Sequence, residues 1–278
     1  MTEIDTLALN PNPLVRALGK QPHEFTRADI IRFVAEQGIP MLNLRYLGGD
    51  GRLKVLNFAI QSAEHLDRIL TMGERVNGSS LFDFVDADSS DLYVVPQLRT
   101  AFLNPFSELP TLDIMCGFYD VEGNPLASSP QQILRKAQQA LEDETGCRLE
   151  ALGELEYYLF SPAEELFPVE PQRGYHEAGP FSKWEEVRVE SLAHLTRMGC
   201  SVKYAHAEVG NFIADDLQMV QQEIEFLPTD VSRAADEMAL AKWVVREVAH
   251  SYGIEVSFSP KIVVGQAGSG MHFHTRLM

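Results

Sequence analysis

Three segments of this chain place acidic or imidazole side chains two residues apart, inside apolar runs typical of β-strands. The pairs are Glu154/Glu156, Glu223/Glu225 and His272/His274. Side chains alternate between the two faces of a strand, so each pair shares one face while its apolar neighbours fill the other. Carboxylates crowded on a partly buried face repel each other and lose hydration, and a divalent cation offsets both effects directly. These pairs therefore restrict the fold to one in which several strands build a common charged face.

The donor types favour a hard cation. Carboxylate oxygens with a minority of imidazole nitrogens suit Mg²⁺ or Mn²⁺ better than zinc. Glu208 adds a carboxylate near the end of a fourth predicted strand, and the glycine-rich run 265–270 before His272 lets the backbone approach a ligand closely. The alternative is that each pair lies on a solvated strand face; three pairs together favour the metal site. The other histidines, including His206 and His176, lack such neighbours and are predicted to be surface or helix residues.

The order of periodic segments predicts an α+β chain. Residues 1–24 contain Asn10-Pro11-Asn12-Pro13 and are predicted to be a loose arm. Residues 25–125 are predicted to form one domain and residues 126–278 a second. Strands are predicted at 41–47, 53–59, 92–98, 111–119, 149–160, 201–209, 221–227, 254–259 and 270–277. Helices are predicted to start at Thr26 and Ser62 and to span 130–144, 182–199 and about 230–251.

Charge and composition exclude several classes of protein. The 23 Lys and Arg against 40 Asp and Glu give a net charge of −17, which disfavours nucleic acid as a partner. No apolar run approaches the roughly 20 residues that a membrane span needs. The N-terminus has no secretory pattern and the three cysteines form no CxxC pair, so we expect a cytoplasmic protein without disulfides.

The same segments, taken together, resemble the glutamine synthetase family. The matching motifs are Gly153–Phe160, Lys203–Glu208, Gln221–Ile224, Phe258–Lys261, Gly268–His274, Asn77–Ser80 and Ser90–Leu92. The resemblance implies an N-terminal β-grasp domain over 25–125, followed by part of the catalytic α/β domain as an incomplete antiparallel-sheet barrel. It also implies an ATP-dependent ligase that phosphorylates the γ-carboxylate of glutamate and then lets ammonia displace the phosphate.

The resemblance also implies residue roles. Glu156, Glu208 and Glu223 would bind the cation on the amino-acid side, and Glu154 and His272 the cation that bridges the ATP phosphates. Of the other residues, His274, Ser269 and Lys261 would contact the nucleotide or the transferring phosphate, Gly268 and Ala267 the glutamate, and Asp91 and Asn77 the ammonium. The family places the ammonium site across a subunit interface, so a ring-shaped homo-oligomer is expected.

Some positions depart from the family pattern. Asn77 stands where the family has Asp, and Ala267 where Asn is common. Two alternatives follow: a γ-glutamyl ligase that uses a larger amine, or a catalytically inactive structural or regulatory relative. The sequence stops at Met278, before the family's arginine-bearing segments and flap glutamate, so we expect a fragment of a longer enzyme that is impaired alone. Without the resemblance, the remaining hypothesis is a carboxylate-rich metallohydrolase.

Overall fold

The computed structural model describes residues 7, 9–86, 90–164, 166–167 and 169–278. It divides into two compact units. The first comprises Met1–Gln139 with Arg197–Gly199, and the second comprises Ala140–Thr196 with Cys200–Met278. We propose 25–125 and 126–278 as the two domains. The boundary between them lies in the connection from the last strand of the first sheet, which ends at Tyr119, to the next helix, which begins at Pro130.

The first unit is a mixed sheet with helices. Its strands are β1 (Met41–Leu47), β2 (Leu53–Ala59), β3 (Glu74–Asn77), β4 (Asp91–Pro96), β5 (Phe102–Leu103) and β6 (Thr111–Tyr119). The sheet order is β2-β1-β6-β4-β3 with β5 also on β6, and the β1–β6 pair is parallel. The predicted β1–β2 hairpin is confirmed with Met41 opposite Ala59. Helices α2 (Arg27–Gln37) and α3 (Ala63–Met72) supply buried side chains to the core.

The predicted loose arm is wrong for part of its length. Pro13–Leu18 forms helix α1, in which Leu14 and Val15 are fully buried. The side chain of Asn12 accepts a hydrogen bond from the backbone N–H of Leu14, and Pro13 occupies the first helical position. Asn-Pro-Asn-Pro is typical of turns, but Asn followed by Pro is also a good helix start. Burial of the two apolar residues decides in favour of the helix.

A buried polar cluster ties the strands of the first sheet together. Asp113 on β6 is fully buried and accepts hydrogen bonds from the Asn43 side chain at 2.8 Å, from Arg45 and from Asn104. Asn57 on β2 donates in turn to Asn43 at 2.7 Å. Burial raises the pKa of Asp113 in spite of its partner Arg45. The cluster therefore satisfies a carboxylate that would otherwise be very unfavourable in the interior.

The second unit is built around one long strand. Its elements are α4 (Pro130–Thr145), β7 (Leu149–Pro162), α5 (Glu185–Arg197), β8 (Val202–Ala214), β9 (Leu217–Phe226), β10 (Thr229–Asp230), α6 (Val231–Ser251), β11 (Glu255–Ser257) and β12 (Met271–Leu277). β7 pairs with β9 and β10 on one edge and with β11 and β12 on the other, always antiparallel. β8 extends the sheet beyond β9.

Helix α6 covers one face of β7. Met238 of α6 lies where a side chain on Gly153 would point, and Leu155 and Tyr157 on the same face are buried. The N-terminus of α6 is capped by Asp230, which accepts from the backbone N–H groups of Ser232 and Arg233. The even-numbered residues of β7, including both predicted glutamates, therefore point to the opposite face.

The hairpin of β8 and β9 is longer than predicted. The two strands meet at Asp215 and Asp216, both of which have positive φ. Two positive-φ residues make the tight turn that suits the twist of a hairpin, and aspartate tolerates this conformation. Among the described residues, no helix is long and apolar enough to cross a bilayer.

Candidate active site

The register of the second sheet brings the predicted pairs onto one face. Glu154 lies opposite Glu225, and Glu156 lies opposite Glu223, across the β7–β9 pair. On the outer edge of β9, His206 of β8 lies opposite Glu223. On the other edge of β7, His272 of β12 lies opposite Glu154. Residues directly opposite each other in antiparallel strands share a face, so four strands contribute to a single cluster.

Both predicted histidines of β12 contact the same carboxylate. Nδ1 of His272 lies 3.0 Å from Oε2 of Glu154, and Nε2 of His274 lies 3.0 Å from its Oε1. The imidazoles are more than half exposed, whereas Glu154 is largely buried. This side of the cluster is therefore open to solvent and to a ligand.

Glu156 is held in place from two directions. Nε2 of Gln221 donates to its Oε2 at 2.7 Å and also donates to the carbonyl oxygen of Gly268 at 2.9 Å. Burial, followed by the nearby charge of Glu208, raises the pKa of Glu156. A Cβ on Gly270 would lie 2.6 Å from Oε1 of Glu156 and 2.5 Å from Nε2 of His272. Glycine at this position therefore lets the loop meet the cluster.

Glu223 has the most strongly shifted pKa in the cluster. Burial raises the pKa of Glu223 to about 8, with further contributions from the charges of Glu156, Glu208, Glu154 and Glu225. Its side chain is 7% exposed. A buried carboxylate among four others retains a proton well above its usual range unless a cation takes its place.

The prediction that His206 is a surface or helix residue is wrong. It lies on strand β8, is mostly buried, and has Nε2 3.2 Å from Oε2 of Glu223 and Nδ1 3.7 Å from Oε1 of Glu208. The sequence did contain the signal, because His206 and Glu208 are two residues apart on one strand. This mixed pair has the same two-residue spacing as the like pairs.

Glu225 sits at the far side of the cluster. Lys203 Nζ lies 2.9 Å from its Oε2. Burial alone would raise the pKa of Glu225, but hydrogen bonds from Tyr204 and Lys203 outweigh burial and lower it. Within the described part of the chain, His206, Glu223 and Glu225 offer donor atoms that all lie within 4.8 Å of one another.

The loop before β12 approaches the cluster from the side. The carbonyl oxygen of Ala267 accepts from the hydroxyl of Tyr158 at 2.9 Å, and its N–H donates to Gln172. The backbone N–H of Ser269 donates to Pro260, while the ammonium of Lys261 donates to the carbonyl of Gln266. Gly268 lies so close to the carbonyl of Pro260 that a Cβ would be 2.5 Å from it. The predicted loop residues thus belong to one tightly folded turn.

The two predicted ammonium-site residues lie in the first compact unit. Asn77 on β3 pairs opposite Asp91 on β4. The Asn77 side-chain oxygen accepts from both the backbone N–H and the hydroxyl of Ser79. Asp91 forms an ion pair of 2.8 Å with Arg75. Their local structure is thus defined by contacts within that unit.

Comparison with known proteins gives a consistent result. The family model for the glutamine synthetase β-grasp domain matches residues 38–121, and the model for the glutamine synthetase catalytic domain matches residues 127–278. Glutamine synthetase from Clostridium saccharobutylicum is 29% identical over 259 residues, which are 91% of this chain and 56% of that protein. Glutamine synthetase from Staphylococcus aureus is 28% identical over 258 residues, covering 91% and 55%. The chain thus spans about half the length of the curated relatives it matches.

Solved structures share the fold. Plasmodium falciparum glutamine synthetase superposes with a TM-score of 0.78 at 18% identity, over 93% of this chain and 55% of that one. Apo GmaS superposes with a TM-score of 0.74 at 17% identity, over 90% and 57%. The predicted α+β architecture, a β-grasp domain followed by part of the catalytic domain, is confirmed.

Proposed function

Because the chain belongs to the glutamine synthetase family, we propose that it is an ATP-dependent ligase that joins glutamate to ammonia through γ-glutamyl phosphate. The convergence of the glutamates of β7 and β9 with the histidines of β12 on one face of the sheet carries this proposal. Phosphoryl transfer needs positioning and charge neutralisation more than covalent chemistry from the protein. A cluster of fixed carboxylates that holds divalent cations supplies both.

The residues present fit a divalent cation. Glu223 lies buried beside several carboxylates, and their charges add to burial in raising its pKa. We propose that Glu156, Glu208 and Glu223 hold one Mg²⁺ or Mn²⁺, and that Glu154 and His272 hold another. Such ions neutralise the charge that develops on the transferring phosphoryl group.

The chain's own residues then orient the substrates. Gln221 fixes the rotamer of Glu156 and the carbonyl of Gly268 together, so the carboxylate and the loop backbone keep one spacing. Tyr158 holds the carbonyl of Ala267 in the same way. We propose that Gly268 and Ala267 present backbone groups to the amino acid, that His274 contacts the transferring phosphate, and that Ser269 and Lys261 contribute to the nucleotide side.

Asn77 supports an alternative for the amine. Its neutral side chain is occupied by Ser79 and offers no negative charge to an ammonium ion. A larger amine that is recognised through other groups is therefore the second candidate, and a catalytically inactive relative is the third. We further propose a cytoplasmic, ring-shaped homo-oligomer in which Asp91 and Asn77 complete the amine site, and sedimentation velocity measures that assembly.

Hydroxylamine trapping tests the proposed reaction without prior choice of amine, because hydroxylamine converts an acyl phosphate to a hydroxamate. The full 278-residue chain is incubated with ATP, glutamate and Mn²⁺. We expect slow γ-glutamyl hydroxamate formation that requires all three and disappears in Glu156→Gln, whereas Val264→Ala, at a highly exposed position, retains it. A panel of amines with ADP release then separates ammonia from larger amines.

Calorimetry with Mn²⁺ and ATP provides the second measurement. The ligase proposal requires Mn²⁺-dependent binding of ATP. Absence of both hydroxamate and binding would contradict it and favour the inactive relative.

A further inference from the structure

The imidazole of His206 faces different partners with its two nitrogens. Nδ1 lies 3.1 Å from the backbone carbonyl oxygen of Ala207. A carbonyl only accepts, so this contact places a ring hydrogen on Nδ1, and in the neutral imidazole Nε2 then carries a lone pair. That lone pair points toward Oε2 of Glu223 at 3.2 Å and Oε1 of Glu225 at 4.0 Å. Nε2 and the two carboxylate oxygens thus face one another, and a cation among them can be bound by all three.

The ring of His206 is fixed by its packing. The rings of His176 and Tyr175 lie 4.4 Å and 5.5 Å from it, measured between centroids, and Tyr204 flanks it at 5.8 Å. The loop that carries His176 runs beside β8, because the backbone N–H of His176 donates to the carbonyl of Ala207 at 2.9 Å. A ring held on several sides is preorganised to present Nε2 in one direction.

The two carboxylates are oriented from outside the group. Lys203 binds Oε2 of Glu225, so its Oε1 is the oxygen directed toward His206. Glu223 is placed opposite His206 by the β8–β9 register. A metal-binding histidine usually donates its other ring N–H to a carbonyl or carboxylate, as Nδ1 of His206 does here. The imidazole nitrogen gives a transition-metal dication such as Mn²⁺ or Co²⁺ an advantage over Mg²⁺ at this group.

We propose that His206, Glu223 and Glu225 bind one transition-metal dication, through Nε2 of the histidine and one oxygen of each glutamate. His206 and Glu225 lie outside the ligand set proposed above for the ligase, and Glu223 is common to both. The site goes beyond the proposed reaction and does not depend on it, since a cation binds here whether or not the protein forms an amide.

The test is a Co²⁺ titration of the full chain without nucleotide. Calorimetry and the visible absorption of bound Co²⁺ monitor the titration. We expect that the chain binds one equivalent of Co²⁺ at this group, and that its affinity falls roughly tenfold or more in both His206→Asn and Glu225→Gln. The corresponding absorption bands should shift. Mg²⁺ should compete for this equivalent only weakly.

Two variants serve as controls. His176→Phe keeps an aromatic ring against His206 without a donor and should retain the equivalent. His272→Asn removes a histidine at the other end of the cluster, where the other proposed cation binds, and should leave the affinity of the equivalent that is lost in His206→Asn unchanged. Far-UV circular dichroism and thermal melts establish that each variant is folded.

Unchanged Co²⁺ affinity and spectrum in folded His206→Asn and Glu225→Gln would overturn the proposal. Failure of the hydroxylamine assay leaves this result unaffected, because the titration measures metal binding and no turnover.

Discussion

At the scale of single residues, the cluster is dominated by charge that the folded sheet brings together. Glu223 is the member whose proton affinity changes most, because it is buried among the carboxylates of β7, β8 and β9. Glu225 is shifted in the opposite direction by Tyr204 and Lys203. The pKa values of these two glutamates, which are two residues apart on one strand, are therefore shifted in opposite directions.

Stability of the metal-free protein should fall as pH rises from about 5 to about 8. Glu223 has a pKa of about 8 in the fold against an ordinary value of 4.5. Between these values the folded state binds more protons than the unfolded state, so its contribution is full below 4.5 and is lost as pH passes through 8. Urea unfolding in chelator at several pH values measures this slope.

Glu223→Gln should flatten the slope, because glutamine has no proton to lose. Glu225→Gln is the matched control. Because the pKa of Glu225 is lowered, this group changes the stability only at pH values below the ordinary pKa of glutamate, so the slope between about pH 5 and 8 should persist. An identical slope in wild type and Glu223→Gln would contradict this prediction.

Removal of a buried carboxylate in the first unit should be far more costly than removal of an exposed one. Asp113→Ala leaves Arg45 and Asn43 without their shared carboxylate, and breaking such a buried pair costs about 3 kcal/mol or more. Asp91→Ala removes only an exposed ion pair with Arg75 and should leave the free energy of unfolding nearly unchanged. Chemical denaturation compares the two variants, and equal losses would contradict the expectation.

Two-residue spacing marks the like pairs and also the mixed pair His206/Glu208, but it does not show which residues face His206. Glu154, Glu156, Glu223 and His272 follow from two-residue spacing alone. The placement of His206 depends on the β8–β9 register, which shifts by two residues between Ala207 and Asn211. Residue spacing along one strand does not indicate such a shift, so it does not predict that His206 lies opposite Glu223.

At the scale of elements, most strands and helices match their predicted limits closely. α4 and α6 begin within one residue of the predicted positions, because Pro130 and Asp230 mark helix starts by local chemistry. β8 is predicted to end at residue 209, but it continues to Ala214. Gly210 lies inside it, where the close approach of Tyr158 leaves no room for a side chain.

Gly210→Ala should therefore destabilise the second unit. A Cβ there would lie 1.9 Å from the hydroxyl oxygen of Tyr158 and 2.6 Å from Oε1 of Gln221. Overpacking of this kind costs about 1–3 kcal/mol. Both neighbours also hold the Ala267–Gly268 turn, so its backbone amides should exchange hydrogen faster.

Gly117→Ala is the matched control, because it is also a strand glycine and its nearest contacts would lie at an ordinary 3.5 Å. We expect little change in unfolding free energy or exchange. If Gly210→Ala behaves like Gly117→Ala, the close approach of Tyr158 does not constrain β8.

At the scale of the whole molecule, an excess of acidic residues gives a net charge of −17. Part of this charge is concentrated on one sheet face, while the first compact unit has its own core and its own polar cluster. The sequence motifs predicted the α+β class and the family. They did not predict α1, whose burial depends on packing rather than on local pattern.

Mn²⁺ should stabilise the protein against unfolding beyond the effect of salt. A ligand that binds only the folded state at 100 times its Kd adds about 2.7 kcal/mol. Thermal melts with Mn²⁺ are compared with NaCl of equal ionic strength, since screening alone also relieves carboxylate repulsion. Chelation should reverse the gain and Glu223→Gln should reduce it; equal shifts with both salts would contradict the prediction.

The position of β7 between partners on both edges makes its alignment decisive. A slip of one residue would exchange Glu154 and Glu156 for Leu155 and Tyr157 on the charged face. A one-residue slip therefore removes both β7 carboxylates from the charged face, so metal affinity depends on the correct alignment. A tightly bound ion would therefore stabilise only the chain whose strands are paired in the native alignment, and would select that alignment over slipped ones.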